Sequence, residues 1–149
     1  MIEKGMLLYF IPPYFASGLK NIEYRRRLML VININEKDNT ITLINISKVA
    51  GKPNCFTYPF NVLIRNFNPP LPMLSFAKIN DNYVIENFAG LERFIYKNGK
   101  KIDESEYQNI IKRYNNYISN NRVELILFTK SEFLETNKEF LYEESTTSL

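Results

Sequence analysis

Two long stretches of the chain are rich in apolar and β-branched residues, a pattern typical of paired β-strands. They are residues 27–35 (RLMLVININ) and 40–47 (TITLINIS), and only the polar segment EKDN separates them. Such side chains suit the pleated surface of a sheet. The two stretches are therefore predicted to form a β-hairpin, whose second arm returns the chain to the edge where the first arm began.

Shorter apolar runs predict further strands, and proline-rich segments between them predict long loops. The additional strands are expected at residues 5–11, 62–65, 73–79 and 122–129, and residues 82–98 fit either strand or short helix. The loops are expected at residues 12–24, 48–61 and 66–72.

One amphipathic helix is predicted late in the chain, over residues 104–119. Asp103 is a natural N-cap, and Glu106 three residues later completes a capping-box pattern. Apolar residues with spacings of three and four follow, at positions 107, 110, 111, 114, 117 and 118. We therefore predict an α+β domain over residues 1–136: a small, strongly bent antiparallel sheet or half-open barrel with this helix packed on it. Residues 137–149 are expected to form an acidic, flexible tail.

Composition limits the chemistry that the chain can perform. The 149 residues include no histidine and one cysteine, Cys55. Zinc sites built from His and Cys, Ser–His and Cys–His nucleophile pairs, and two-histidine ribonuclease sites are therefore excluded. A general base has to be a carboxylate, lysine, tyrosine or water. The lone cysteine fits a reducing cytoplasm, no apolar run is long enough for a membrane helix, and no secretory signal is expected.

The charge is unevenly distributed along the chain. Residues 1–102 contain 14 lysines and arginines against 7 acidic residues, whereas residues 103–149 contain 5 against 9. A basic body of this kind favours an anionic partner. Ordinary scatter of charge in a basic protein is the alternative.

The strongest candidate site lies at the open end of the predicted hairpin. Arg25, Arg26 and Arg27 precede the first arm, and Ser47 and Lys48 end the second. A guanidinium is a permanent cation whose donors match phosphate oxygens, and a serine hydroxyl can donate to the same group. The hairpin is expected to bring these residues together as a phosphate-handling site. The alternatives are a solvated charge run and a serine that caps its strand.

Aromatic and basic residues interleave in the predicted loops. Unpaired bases stack on such rings, which contributes about 1–3 kcal/mol per base, and cations contact the phosphates. The residues expected to bind single-stranded RNA are Tyr14, Lys20, Tyr24, Arg25, Lys52 and Tyr58. The alternative is that about half of the loop aromatics fold back into the core.

The remaining polar residues suggest no cofactor. Asp81, Glu86 and Glu92 match no metal-binding spacing and are expected on a solvated surface. Cys55 is expected to be a passive buried thiol. No metal site and no cofactor are therefore predicted.

These features together resemble the MazF/Kid/PemK family of endoribonuclease toxins. The resemblance rests on a strand that opens at Gly5, a long loop at 12–24, an arginine before LMLVI, and a strand that ends at Ser47. It covers most of residues 5–129 and is nearest in style to the type III branch (ToxN- and CptN-like), whose toxins are controlled by an RNA antitoxin. Two departures are Leu28, where the family has proline, and Lys48, where it usually has Gln or Asn. The first leaves Arg26 and Arg27 as alternatives.

The resemblance implies an SH3-like barrel and a cytoplasmic, metal-independent endoribonuclease of a toxin–antitoxin system. The implied catalytic residues are Arg26 or Arg27, Ser47 and Lys48. The implied partners are messenger RNA and a repetitive small RNA antitoxin, held in a protein–RNA hetero-oligomer; neither DNA nor a membrane is expected. A non-catalytic RNA-binding barrel is the alternative, and a protein-docking role for the tyrosine-rich helix is a weaker one.

Overall fold

The computed structural model describes residues 1–15, 17–21, 23, 25–123 and 125–141. Six strands and two α-helices make up most of its regular structure. The strands are β1 (Leu7–Phe10), β2 (Arg27–Asn35), β3 (Thr40–Lys48), β4 (Asn61–Ile64), β5 (Ser75–Glu86) and β6 (Leu127–Phe128). The helices are α1 (Glu104–Asn120) and α2 (Lys130–Asn137). Single 3₁₀ turns lie at Cys55–Thr57, Leu91–Phe94, Lys97–Gly99 and Lys138–Phe140.

The strands form one curled, half-open sheet in the order β1-β2-β3-β5-β4. The predicted hairpin is confirmed, because β2 and β3 pair antiparallel from Leu28 opposite Ile46 to Asn35 opposite Thr40. The α+β class and the late helix are also confirmed. The sheet is mixed, however, since β6 pairs parallel with β5.

Helix α1 covers one face of the sheet, which we call the α1 face. Asp103 caps the helix by accepting a hydrogen bond from the Glu106 backbone N–H at 3.2 Å, as predicted. Tyr107, Ile110 and Tyr114 pack onto the sheet as one apolar stripe. The Tyr107 hydroxyl donates to the carbonyl of Ile32 at 3.2 Å. Ile32 is the extra residue of a bulge in β2, so the helix satisfies a carbonyl that the distorted ladder leaves open.

The C-terminal segment covers part of the opposite face, which we call the α2 face. Its core consists of alternate residues from β2, β3 and β5 under Phe128 of β6 and Phe133 of α2. The sheet residues are Met29, Val31, Ile41, Leu43, Tyr83 and Ile85. Phe133 is fully buried, with its ring centroid 4.8–5.5 Å from those of Phe10, Phe88 and Phe94. This cover leaves the other end of the same face open.

Two strands differ in their bounds from the sequence-based prediction. The strand expected at 73–79 continues to Glu86, and the strand expected at 122–129 shrinks to Leu127–Phe128. Helix α2, which was not predicted, follows it directly. Its capping box, in which Thr129 and Glu132 bond reciprocally, is visible in the sequence but was not used in the prediction.

The predicted start of the tail, at residue 137, is also too early in the chain. Asn137 is fully buried, accepts a hydrogen bond from the Ile11 backbone N–H at 2.7 Å and donates to the Ile11 carbonyl at 2.9 Å. Phe140 and Leu141 pack on the same core. The chain from 137 to 141 thus belongs to the domain, and residues 142–149 lie outside the described residues.

Candidate functional site: a basic cleft at the open end of the sheet

A cleft of about 860 Å³ lies where α2 leaves its face of the sheet uncovered. On this face, buried apolar residues are followed by polar ones as each strand approaches the cleft. In β2 the buried Met29 is followed by Arg27, and in β3 the buried Leu43 is followed by Asn45 and Ser47. Cationic, acidic and aromatic side chains line the cleft, among them Phe15, Arg27, Lys52, Tyr58, Lys78 and Asp81.

Arg27 lines this cleft from the first position of β2. Its Nη2 donates to Glu23 Oε2 at 2.9 Å, and its Cζ lies 5.8 Å from the centroid of the Phe15 ring. Its Nε is buried and has no acceptor among the described residues. A buried donor without a partner is costly, so this N–H is a polar group that the described fold leaves unsatisfied.

The neighbouring arginines have different surroundings. The Cζ of Arg26 lies 3.8 Å from the Phe140 ring centroid and 5.1 Å from that of Tyr9. Arg26 is therefore stacked on the C-terminal segment and does not line the cleft. Arg25 is exposed. The sequence left Arg26 and Arg27 as alternatives for the site. Of the three arginines, only Arg27 lines the cleft.

Ser47 lies on the same face as Arg27. Leu28 is opposite Ile46, so one step further in the same register Arg27 stands opposite Ser47, and residues directly opposite each other share a face. The half-buried Ser47 hydroxyl donates to Asn45 Oδ1 at 3.0 Å, and Asn45 Nδ2 donates to the Leu28 carbonyl at 3.2 Å. Asn45, which the sequence analysis missed, therefore holds the hydroxyl, and neither Ser47 nor Asn45 is among the residues that line the cleft.

Lys48 lies on the opposite face of the sheet from Ser47. It is the last residue of β3, and alternation turns it to the opposite face. Its side chain is exposed and does not line the cleft. The pairing of Ser47 with Lys48 as neighbouring catalytic groups is therefore corrected, since adjacent strand residues point to opposite sides.

Two other lysines supply the positive charge of the cleft. Lys52 follows β3 in the loop, and Lys78 lies on β5 directly opposite Asn45. Burial, followed by the positive charges of Lys78, Lys48, Arg27 and Arg25, lowers the pKa of Lys52. The side-chain ammonium groups of Lys52 and Lys78 form no hydrogen bond or ion pair within the part of the chain that the structure describes. These two lysines thus lie in the cleft without a carboxylate partner, as in an anion-binding site.

A large bulge in β5 brings an acidic residue to the same cleft. Asn45 pairs with Lys78 but its neighbour Ile44 pairs with Asn82, so residues 79–81 have no partner on β3. Bulges redirect side chains and are frequent beside active sites. Here Asn80 and Asp81 line the cleft. Asp81 was expected on a solvated surface. It is half-buried and lines the same cleft as the cations, beside a bulge that spacing alone does not reveal.

The predicted RNA-binding aromatics separate into two groups. Tyr58 lines the cleft with its side chain well exposed, and Phe15 joins it. Tyr14 instead stacks on Phe128 at 6.2 Å between centroids, and its hydrogen bond with the Glu132 carboxylate raises its pKa. Its ring is therefore part of the packing under β6, which is the predicted alternative of a loop aromatic that folds back.

Two further predicted residues do not join the cleft lining. Lys20 is exposed and does not line the cleft. Tyr24 lies outside the described residues. Of the predicted RNA-binding residues, the cleft therefore brings together Lys52 and Tyr58, with Arg25 near enough to act on the Lys52 charge.

Comparisons with known proteins give no family assignment, since no protein-family model and no curated protein matches this chain. Within the described residues, no three acidic or cysteine side chains are grouped so that they could hold a metal ion, and no helix is long and apolar enough to cross a membrane. The chemistry of the cleft therefore has to be argued from its side chains. The cations, the carboxylate and the two aromatic rings that line it form a set suited to a phosphodiester with an attached base.

Proposed function

We propose that this protein is an endoribonuclease that cleaves single-stranded RNA by using the 2′-hydroxyl of the substrate as nucleophile. The observation that carries the proposal is the convergence of Arg27, Lys52 and Lys78 with Asp81 in one open cleft. A transphosphorylation needs stabilisation of a dianionic phosphorane and two proton transfers. These four side chains provide both without a bound metal.

The cations would act on the phosphate. Arg27 and Lys78 would contact the non-bridging oxygens, whose negative charge grows in the transition state. The loss of one such prepositioned donor lowers a rate by about 10²–10³-fold. Ser47, on the same face but outside the cleft lining, is proposed as a further contact of this group.

Asp81 and Lys52 would transfer the protons. Asp81 accepts the proton of the 2′-hydroxyl while the 2′-oxygen forms its bond to phosphorus. The bond from phosphorus to the 5′-oxygen breaks, and the Lys52 ammonium donates a proton to that oxygen. The products are a 2′,3′-cyclic phosphate and a 5′-hydroxyl. The lowered pKa of Lys52 favours release of its proton.

End chemistry tests this proposal. Purified protein is incubated with total RNA in EDTA, and the new ends are analysed by polynucleotide kinase labelling and by phosphatase resistance. We expect 5′-hydroxyl ends that accept label directly and 3′ ends that resist phosphatase until acid opens the cycle. Intact RNA, or fragments with 5′-phosphates, would contradict the proposal.

We further propose an SH3-like barrel of the MazF/Kid type and a toxin role with a repetitive small RNA as antitoxin. The resemblance described above supports this, together with an arginine and a serine opposite each other on β2 and β3. Induced expression without an antitoxin should arrest growth and degrade messenger RNA, and Ser47→Ala should weaken both effects. Equal growth and equally intact RNA for the two proteins would contradict the toxin role.

Reversible RNA binding without cleavage is the second candidate. The ion pair between Arg27 and Glu23 favours it, because a guanidinium already held at 2.9 Å by a carboxylate is less available to a phosphorane. In this case RNA would be retained intact by the protein in EDTA. Retention would weaken steeply with salt, as phosphate contacts do.

A further inference from the structure

A groove continues from the cleft around the edge strand β4 to helix α1. Two smaller cavities form it, with volumes of about 390 and 340 Å³. Asn61 lines both the cleft and the first of these cavities, and Arg113 lines both of the smaller ones. Each cavity therefore adjoins the next at a shared lining residue. We call the two smaller ones together the β4–α1 groove.

The β4–α1 groove carries two arginines whose guanidinium groups have no partner among the described residues. Arg65 and Arg113 are exposed on its walls, and the side chain of neither forms a hydrogen bond or ion pair with any residue between positions 1 and 141 that the structure describes. Among the same described residues, no acidic side chain lines either cavity. Two cations in a concave surface without carboxylates attract an anion.

Helix α1 contributes a polar stripe along the groove. Asn109, Arg113, Asn116 and Asn120 all line it, and they follow one another at spacings of four, three and four residues. That spacing places them on one side of the helix, beside the apolar stripe that packs on the sheet. At about 1.5 Å per residue, the stripe extends for roughly 16 Å. Amides and guanidinium groups donate to phosphate and sugar oxygens along such a path.

We propose that the β4–α1 groove binds the backbone of the same RNA strand, beyond the nucleotides held in the cleft. The inference rests on the proposed function, since the cleft fixes where the strand begins. RNA fits better than an acidic protein segment because the groove adjoins the cleft and because Phe56, 53% exposed on its wall, offers a face for a base.

The test measures how the affinity for RNA depends on RNA length, with and without the two arginines. Labelled 2′-O-methyl oligouridylates of about 4 and about 16 nucleotides span the site sizes of single-strand grooves, and they lack the 2′-hydroxyl needed for cleavage. Wild type should bind the long probe more tightly than the short one. Arg65→Gln/Arg113→Gln should lose about tenfold in affinity for the long probe and little for the short one. Its salt slope should fall in magnitude by about 1.4, since each phosphate contact to a single strand contributes about 0.7.

Arg93→Gln/Arg122→Gln is the matched control. It removes the same charge from exposed arginines that line neither the groove nor the cleft, and it should keep the length preference. Thermal unfolding of each variant shows whether it is folded. Asn120→Ala should lose less affinity for the long probe than Arg113→Gln, because Asn120 lies at the helix C-terminus, where the dipole is negative.

The outcomes separate the two proposals. If wild type binds both probes equally, or if the Arg65/Arg113 variant keeps the length preference, the groove proposal is wrong while cleavage in the cleft stands. If a labelled poly-glutamate peptide binds in place of long RNA and is lost in the variant, the groove serves an acidic protein and the proposal is also wrong. If wild type neither binds nor cleaves RNA, both proposals fall.

Discussion

The two ends of the α2 face differ in what covers them. At one end, Leu43 and Tyr83 are buried under Phe128 and Phe133. At the other end, β2 and β5 present Arg27 and Lys78 to an open cleft. Burying an apolar face stabilises a fold, and the uncovered end of the face makes no such contribution. The closed end therefore contributes to stability, and the open end is the one that the proposed function assigns to a ligand.

The bulge in β5 marks the change from one end to the other. On its far side Tyr83 and Ile85 are buried, and on its near side Lys78 reaches the cleft. The three unpaired residues allow one strand to serve both ends: its first part pairs with β4 and its last part with β6. The bulge therefore marks the boundary on β5 between the buried core and the candidate site.

Removing the carboxylate at the open end should have the largest effect. Asp81→Asn keeps the shape but removes the proposed base, so RNA cleavage should fall by about 10²–10⁴-fold. Its melting temperature should stay close to that of wild type, because Asp81 packs in no core cluster. Initial cleavage rates measure the effect. Glu36→Gln, on an exposed turn, is the control, and equal rates for Asp81→Asn and wild type would remove Asp81 from the mechanism.

The closed end should show the opposite response. Phe133→Ala removes a fully buried ring that contacts three others, so we expect a loss of about 3–5 kcal/mol in the free energy of unfolding. Urea denaturation measures it. Below the melting temperature, the cleavage rate per folded molecule should change much less than in Asp81→Asn. A large loss of rate in a fully folded Phe133→Ala protein would mean that the two ends are coupled.

Removing the hydrogen bonds between Asn137 of α2 and the Ile11 backbone should have an intermediate effect on stability. Asn137→Ala leaves the backbone N–H and carbonyl of Ile11 without their partner in a buried position. An unsatisfied buried group costs about 1–3 kcal/mol, and urea denaturation should show a loss in that range. Asn33→Ala, at an exposed strand position, is the control. Equal stability of both variants would show that the C-terminal segment contributes little.

A smaller effect is expected of pH on RNA binding at the open end. Burial and the surrounding cations lower the pKa of Lys52, so Lys52 is charged below that pKa and becomes neutral above it, earlier than an ordinary lysine. Affinity for uncleavable RNA should therefore decline as the pH rises into the alkaline range. Lys52→Arg, permanently charged, should remove this decline. The same decline in wild type and Lys52→Arg would assign the titration to another group.

The sequence predicts the hairpin end of the site better than its other walls. Alternation over 27–35 and 40–47 predicted a hairpin that brings Arg25–Arg27 and Ser47 to one end, because hairpin pairing is local. It left Arg26 and Arg27 as alternatives, and the observed register places Arg27 on the face of Ser47. The position of Asp81 was not predictable in this way, since it depends on which residues of β5 pair with β3. Spacing along a strand gives no sign of a bulge whose register is set by two other strands.

The C-terminal segment shows a second limit. Thr129 and Glu132 carry a helix start signal that a reader of the sequence could have used. Nothing local predicts that Asn137 bonds to Ile11, 126 positions away. Long-range bonds of this kind decided that the segment covers one end of the sheet, and thereby where the cleft lies.

The most direct measurement compares two neighbouring arginines, Arg27→Gln and Arg26→Gln, by their initial rates of RNA cleavage in EDTA. Arg27 lines the cleft, whereas Arg26 stacks on Tyr9 and Phe140. If the open end of the sheet is the active site, Arg27→Gln should lose about 10²–10³ in rate while Arg26→Gln stays within a few-fold of wild type. Equal losses in both variants, or a greater loss in Arg26→Gln, would contradict the account.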